Sequence, residues 1–197
     1  MFERKYDFDD VVIVPSRSTI ESRSEVKLNR AFQFYHSDLV WYNKVPIICA
    51  NMASICGIDM AQNMQYHGML AALHKYLTIE EISQVASCGN AIFMSIGMRD
   101  SDLNKLKDFI VKYNYAPNIC IDVPNAYIEK FVKHCAKVRD LCINYNPIIM
   151  AGNVVTPEMT QELIIHGGVD IVKVGIGPGC FIAGSKVKTA NGLKNIE

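Results

Sequence analysis

Residues 147–179, "PIIMAGNVVTPEMTQELIIHGGVDIVKVGIGPG", contain two apolar runs separated by a segment with helical spacing. The runs are apolar without alternation, which is typical of strands covered on both faces, as in a parallel sheet. Thr156 followed by Pro157 predicts a helix start, and Gly167 predicts the end of that helix. This stretch therefore predicts a strand, a helix and a second, parallel strand.

The same pattern recurs earlier in the chain. Apolar runs begin at Val45, Met69, Ala91 and Asn118 ("VPIICANM", "MLAALHK", "AIFMSIG" and "NICIDVPN"). With the two runs above, they predict six strand–helix units in series. The N-terminal segment of about 40 residues is predicted to form an extra hairpin.

Three of the intervening helices have predicted starts. Thr78 and Glu81 have the spacing of a capping box, in which each side chain bonds the other's backbone N–H. Ser101 and Asn125 each precede apolar residues at helical spacing. We therefore expect helices to begin at these positions.

Six such units fit either an open doubly wound sheet or part of an eight-unit barrel. A barrel gathers its chemistry from the carboxyl ends of many strands. Polar or glycine-rich positions follow nearly every run, at Asn51, His74, Lys75, Ser95, Asp122, Asn125, Asn153 and residues 175–179. This distribution favours an α/β fold that is an incomplete (β/α)8 TIM barrel with about six of its eight units.

Composition restricts the class of protein. The chain has 197 residues, half of them hydrophobic, with a formal net charge of zero and no basic run, so no nucleic acid or anionic membrane is expected as a partner. No apolar stretch approaches the roughly 18 residues that span a bilayer, and the first residues lack signal-peptide order. We expect a cytoplasmic protein. Six of its seven cysteines are expected to be reduced thiols without a metal.

Two features carry candidate chemistry. The loop "GIGPG" at 175–179 offers backbone groups to an ion or phosphate, or is a plain strand-to-helix turn. Lys75 and Asp122, which we place on neighbouring units, form either a proton-handling pair over a shared ligand or a salt bridge at the barrel rim.

Several motifs together resemble a known family. "FDDVVIVPSRSTIESRSEV", "VPIICANM", "ALHK", "CIDVPNAYIEKFV", "AGNVVTPEMTQELI" and "DIVKVGIGPG" resemble the IMP dehydrogenase/GMP reductase family from about Phe8 to Gly179. The large regulatory insert that is usual in IMP dehydrogenases after the second barrel strand is absent, since only residues 75–89 lie there. The resemblance is therefore to the GMP reductase side of the family.

The resemblance implies a TIM barrel that binds GMP and NADPH. In this family a loop cysteine attacks purine C2 and expels ammonia, and hydride from NADPH then yields IMP. Lys75 and Asp122 match the catalytic lysine and aspartate. Positions that match cofactor contacts are Ser22, Arg23, Asp122, Val123, Pro124, Ile176 and Gly177.

The resemblance also implies an ion and an assembly. Gly177 and Gly179 match backbone carbonyls that hold a monovalent cation, normally potassium. Ser22 and Arg23 match a pair that reaches cofactor bound mainly by a neighbouring subunit, which implies a homo-oligomer, as in the tetramers of the relatives.

The sequence departs from the family at a few positions. Ala53 stands where the family usually has Asp, while Pro124 and Ala126 replace Ala and Gly. The serine and nucleophilic cysteine that should follow Gly179 are missing from their usual places. The catalytic loop of the family is therefore interrupted at this point.

Residues 180–197, "CFIAGSKVKTANGLKNIE", resemble the first block of an intein, which is an all-β splicing domain. Alternating residues followed by Asn-Gly predict a strand and hairpin. The implied reaction is attack of the Cys180 thiol on the carbonyl of Gly179, which converts the peptide bond into a thioester. The alternative is that Cys180 is a displaced reductase nucleophile.

The sequence thus predicts an N-terminal portion of GMP reductase at 1–179 and an N-terminal intein fragment at 180–197. We expect activity only after splicing with a C-terminal intein–reductase fragment, and either a naturally split intein or a truncated reading frame accounts for the pattern. An IMP dehydrogenase-type enzyme interrupted in the same way, or a non-catalytic nucleotide-binding half-barrel, are the alternatives.

Overall fold

A computed structural model of the chain describes residues 12–86 and 91–175, except for the side chains of 40–43. A 3₁₀ turn (Arg23–Glu25) precedes the first strand. The strands are β1 (Arg30–Gln33), β2 (Val40–Lys44), β3 (Ile48–Cys49), β4 (Leu70–Leu73), β5 (Ile92–Ile96), β6 (Asn118–Asp122), β7 (Ile149–Val154) and β8 (Ile171–Val174). The helices are α1 (Ile58–Tyr66), α2 (Ile79–Ala86), α3 (Asp100–Tyr113), α4 (Lys130–Leu141) and α5 (Pro157–Ile165).

The six predicted apolar runs form one parallel sheet in sequence order from β3 to β8. Strands β1 and β2 form a separate antiparallel hairpin, as predicted for the N-terminal segment. The architecture is an α/β partial barrel of six parallel strands, which confirms the predicted fold class. In the described sheet, β3 and β8 are the two edge strands.

Alternation along the strands divides the core into two layers. Outward side chains such as Leu73 and Ile121 pack with helix residues such as Phe109 and Phe131, all fully buried. The inner layer contains Leu70, Ala72, Phe93, Cys120, Ile148 and Met150, with Phe34 and Leu39 packed against it. The middle of the inner face is therefore apolar. Asn118, buried at the start of β6, accepts a hydrogen bond from the Ile148 N–H (3.0 Å), and polar side chains such as Asp122 lie at the carboxyl ends of the strands.

The structure confirms two helix starts. Glu81 accepts a hydrogen bond from the Thr78 N–H (2.7 Å), and the Thr78 hydroxyl accepts from the Glu81 N–H (3.2 Å), as in a capping box. The Thr156 hydroxyl accepts a hydrogen bond from the Met159 N–H (3.3 Å) at the start of α5, where Pro157 is the first helical residue. Both capping predictions are therefore confirmed.

Two other predicted starts are wrong. Helix α3 begins at Asp100, before Ser101, because the carboxylate of Asp102 accepts from the N–H groups of Gly97 and Arg99 at the helix entry. Helix α4 begins only at Lys130. The Asn125 side chain instead accepts a hydrogen bond from the Tyr127 N–H (3.0 Å), which makes a turn that delays the helix.

Two glycines follow α5, and a different physical constraint favours glycine at each position. A Cβ at Gly167 would lie 2.6 Å from the carbonyl oxygen of Leu163. Gly168 has a φ of +67°, the left-handed conformation that favours glycine. The predicted stop at Gly167 is thus correct in place, while the left-handed residue is Gly168.

A buried ion pair fixes the amino ends of β7 and β8. The Arg139 guanidinium on α4 contacts the Asp170 carboxylate at 2.5 Å, and the Asp170 side chain is fully buried. The same carboxylate accepts from the N–H groups of His36 and Ile149, both at 2.9 Å. Since His36 follows β1, this one aspartate joins the N-terminal hairpin to the barrel.

His134 should make folding sensitive to mild acid. Burial, together with Lys137, lowers the pKa of this imidazole, which contacts the Gly97 carbonyl oxygen at 3.0 Å. The unfolded chain therefore takes up the proton more readily, so stability is present above about pH 6.5 and falls as the pH decreases below it. We expect the urea midpoint to fall less between pH 7 and pH 5 in His134→Gln than in the wild type. An equal fall would contradict this role.

Two further properties concern membrane-spanning helices and cysteines. Among the described residues, no helix has the length and apolar character needed to cross a membrane. Cys49, Cys56, Cys120, Cys135 and Cys142 are all free thiols, as expected for these five.

Candidate active site at the carboxyl ends of the strands

A cavity of about 460 Å³ opens beside Lys75 and Tyr76 in the loop after β4, and we call it the Lys75 cavity. Its size lies in the range of small-molecule sites. Apolar and polar groups both line it, among them Met52, Lys75, Tyr76, Ser95, Asp122 and Pro124. Lys75 and Tyr76 are exposed, and the Lys75 ammonium lies 5.4 Å from the centre of the Tyr76 ring.

A second cavity of about 580 Å³, the Lys173 cavity, lies on the inner side of the sheet. Residues from both edge strands and from β6 and β7 line it, including Cys49, Asn51, Asp122, Val123, Asn153 and Lys173. Asn51, Met52, Asp122 and Pro124 belong to both cavities. The site therefore consists of two adjoining compartments with Asp122 in the wall between them.

An ion pair crosses the sheet at this wall. Asp122 on β6, Gly152 on β7 and Lys173 on β8 are register partners across three neighbouring strands. The Lys173 ammonium contacts the Asp122 carboxylate, and it also lies 3.2 Å from the Asn51 side-chain oxygen. Because Gly152 has no side chain, the two charged groups meet directly above it.

Gly152 should therefore not accept even a methyl group. A Cβ at this position would lie 2.6 Å from both the Cβ and the carbonyl oxygen of Lys173. We expect Gly152→Ala to lower the free energy of unfolding by about 1–3 kcal/mol, as for other overpacked sites, and urea unfolding would measure it. Gly57→Ala is the matched control because a Cβ there would meet nothing within 4 Å. Equal stability of the two variants would contradict this packing.

Asn153 lines the Lys173 cavity and has a buried side-chain acceptor. Its side-chain nitrogen donates to the Gly175 carbonyl at 2.9 Å, whereas its Oδ1 atom is buried and has no hydrogen-bond partner in the described part of the chain. A buried acceptor without a partner is costly. A ligand with an N–H or O–H donor would satisfy it.

The buried cysteines are poor nucleophiles. Burial raises the pKa to about 11 for Cys120 and to about 12 for Cys135 and Cys142, and it also raises the pKa of Cys56. These thiols stay protonated near neutral pH, and the thiolate is the reactive form. Cys49 is a half-buried thiol that lines the Lys173 cavity.

The structure brings some predicted site residues together and separates others. Lys75 and Asp122 line one cavity, but β5 lies between their strands, so the prediction of neighbouring units is wrong. The salt bridge considered for them is not formed within the described structure, since Asp122 pairs with Lys173. Val123 is buried, while Pro124 is exposed and lines both cavities.

The remaining predicted residues lie elsewhere. Ser22 and Arg23 are in the exposed 3₁₀ turn, where the Ser22 N–H donates to Glu25 at 2.8 Å, and they line neither cavity. Ile176, Gly177, Gly179 and Cys180 lie outside the described residues. The predicted cation site and splicing junction therefore stay predictions.

A comparison with protein-family models shows the family of this chain. Residues 5–196 match the model of the IMP dehydrogenase / GMP reductase domain. The chain belongs to this family. The matched range includes residues 180–196, so the family match places no boundary at Cys180.

Relatives support the same family membership. The chain is 45% identical over 198 residues to a GMP reductase from Serratia proteamaculans and 44% identical over 198 residues to one from Shewanella pealeana. Each alignment covers 98% of this chain but only 56% of the relative, so the chain spans about half the length of these curated relatives. An inosine 5′-monophosphate dehydrogenase structure from Legionella pneumophila matches with a TM-score of 0.72 at 33% identity, covering 91% of this chain and 53% of that one.

Sequence reasoning assigned no role to Lys173. The available signal was a single charged residue in the otherwise apolar run "IVKV", since a lysine is almost never buried without a partner. Asn51 and Asn153 were recognised only as polar positions at strand ends. Their contacts with Lys173 and Gly175 depend on the curvature of the sheet.

Proposed function

We propose that the chain is the N-terminal portion of an NADPH-dependent GMP reductase, which converts GMP to IMP and ammonia. The observation that carries the proposal is the pair of adjoining cavities that share Asp122, one of them containing Lys75. Two compartments with a common charged wall suit a reaction between two bound molecules. Identities of 44–45% to GMP reductases support the reductase over other activities in the family.

The Lys75 cavity has groups that fit a nicotinamide nucleotide. Met52 and Pro124 provide apolar wall for a flat ring, and the Asp122 carboxylate can accept hydrogen bonds from ribose hydroxyls. Asp122 and Pro124 line this cavity and would hold the cofactor. Val123, which the family resemblance also assigns to the cofactor, lines only the adjoining Lys173 cavity. Ile176 and Gly177 would contribute from the loop after β8. When bound, NADPH supplies the hydride.

The Lys173 cavity fits the purine nucleotide. The free Asn153 Oδ1 suits a donor group of the ligand, and Lys173 keeps the Asp122 carboxylate in the wall between the two compartments. Lys75 and Asp122 would move protons during ammonia release and hydride transfer. The carbonyls of Gly177 and Gly179, which lie outside the described residues, would hold a potassium ion, as the family resemblance implies.

We further propose that residues 180–197 begin an intein and that the reductase becomes active after splicing with a C-terminal intein–reductase fragment. The proposal rests on the resemblance of these residues to an intein, with Cys180 attacking Gly179. Mass spectrometry of tryptic peptides from the native source tests it at the peptide after Lys173. "VGIGPG" joined to a serine and a cysteine-containing loop would support splicing, whereas "VGIGPGCFIAGSK" alone would contradict it.

The assembled enzyme is proposed to be a cytoplasmic homo-oligomer, with Ser22 and Arg23 reaching the cofactor of a neighbouring subunit. The exposure of the N-terminal segment supports such a contact, since Val12, Ile13 and Val14 are 80–90% exposed. Five free thiols support a reducing compartment.

An activity assay tests the proposed reaction. A chimera would join residues 1–179 to the C-terminal part of the Serratia proteamaculans GMP reductase, beginning at its catalytic loop. We expect NADPH oxidation with GMP and no NAD⁺ reduction with IMP. The reverse pattern would favour an IMP dehydrogenase-type enzyme, the activity named for the Legionella pneumophila structure. Nucleotide binding without turnover would instead favour a non-catalytic half-barrel.

A further inference from the structure

The loop at residues 74–78 carries Lys75 and Tyr76 from β4 into α2. Both side chains line the Lys75 cavity, yet both are exposed, so burial of these side chains does not fix the loop. The two ends of the loop are held by other contacts: the His74 N–H donates to the Cys56 carbonyl at 3.3 Å, and buried Leu77 adjoins the Thr78 and Glu81 capping box. The position of Lys75 therefore depends on what holds the middle of the loop.

Lys105 holds it from outside the cavity. This lysine lies on α3, and its ammonium donates to the Lys75 carbonyl at 2.8 Å and also to the Leu77 carbonyl. The two acceptors flank Tyr76, so one cation fixes the backbone on both sides of the tyrosine. Neither cavity includes Lys105 in its lining.

The environment of Lys105 agrees with a fixed position. Burial lowers the pKa of its ammonium, against the opposing effect of Asp102 and Glu81. A long, partly desolvated lysine loses rotamer freedom and hydration, so its hydrogen bonds to the loop must offset that cost. By contrast, Lys112 on the same helix is an exposed partner of Glu80 on α2.

We infer that Lys105 is a positioning residue for Lys75: it sets the backbone from which the Lys75 side chain enters the candidate cofactor compartment. This inference rests on the proposed function in one respect: NADPH is taken as the ligand whose binding Lys75 affects. The placement of the loop itself does not depend on the identity of the ligand.

The chimera defined above allows a double-mutant test of NADPH binding. The fluorescence of NADPH measures the affinity. Lys105→Met should weaken NADPH binding about tenfold, as expected for lost charged hydrogen bonds, while Lys105→Arg retains the donors and should stay within about threefold of the wild type. Lys112→Met, which removes the exposed ion pair, should leave the affinity unchanged.

The Lys75→Met background separates positioning from a general structural role. If Lys105 acts through Lys75, Lys105→Met should have almost no further effect on NADPH affinity in that background. An equal loss in both backgrounds would overturn the inference.

Failure of the proposed function would be recognised separately, because the unmutated chimera would then bind no NADPH. In that case, hydrogen exchange of the peptide spanning residues 74–78 in the 197-residue chain tests whether Lys105 holds this loop. Lys105→Met should speed exchange about tenfold, and Lys112→Met should not. Unchanged exchange in Lys105→Met would overturn the inference.

Discussion

Lys75→Met should lower the NADPH-dependent turnover of GMP by the chimera by about 10²–10⁴-fold, the usual contribution of a positioned proton-transfer group. The same substitution should change the free energy of unfolding by less than about 0.5 kcal/mol, because the Lys75 side chain is exposed and its ammonium lies over the adjacent Tyr76 ring. Steady-state NADPH oxidation and urea unfolding measure the two effects. A large loss of activity without a loss of stability is the expected result.

A matched control distinguishes this effect from the loss of any surface lysine. Lys107 is an exposed lysine on α3 that does not line the Lys75 cavity. Lys107→Met should retain full turnover. If Lys75→Met also retained turnover, Lys75 would have no catalytic role and the proposed chemistry would need another proton carrier.

Arg139→Met should lower the free energy of unfolding of the chimera by about 3–5 kcal/mol, the usual effect of removing one member of a buried ion pair. The substitution leaves the fully buried Asp170 carboxylate without its cation. It also removes donors to the carbonyls of Pro147 and Gly168. Urea unfolding at neutral pH measures the change.

The control is Lys112→Met, which removes the exposed ion pair between Lys112 and Glu80. Lys112 and Glu80 retain about half of their side-chain exposure, at 49% and 56%, so water screens their attraction. The stability of this variant should therefore stay close to that of the unmutated chimera. Similar losses in the two variants would show that the Arg139–Asp170 pair does not anchor the amino ends of β7 and β8.

The sheet could be predicted because its strands have a strong local signal. Each of the six apolar runs is long enough to form a buried strand. The helices between them are the crossover connections that parallel strands require. Thr78 and Thr156 mark helix starts through bonds within one turn, so short sequence patterns were sufficient there.

The wrong helix starts have an equally specific cause. Asn125 can cap a helix or form a turn with the residue two positions later, and the structure has the turn. At α3, Asp102 supplies the carboxylate for the entry, which moves the start ahead of Ser101. Sequence spacing alone does not distinguish these competing hydrogen bonds.

The site could be predicted only in part. The family resemblance singled out Lys75 and Asp122, and both line one cavity. Lys173 was missed because its partner Asp122 lies 51 positions earlier in the chain and two strands away. That contact depends on strand register and on the missing side chain of Gly152, and neither is visible in a local motif.

The most direct test of the central claim is to follow a hydride. The chimera would be supplied with GMP and with NADPH carrying deuterium at the transferable C4 position, and the product would be analysed by mass spectrometry and NMR. The C-terminal part of the Serratia proteamaculans enzyme alone is the control and should be inactive. We expect IMP with one deuterium at purine C2. IMP without deuterium, or no IMP from a chimera that folds, would contradict the proposal that this chain forms half of a GMP reductase site.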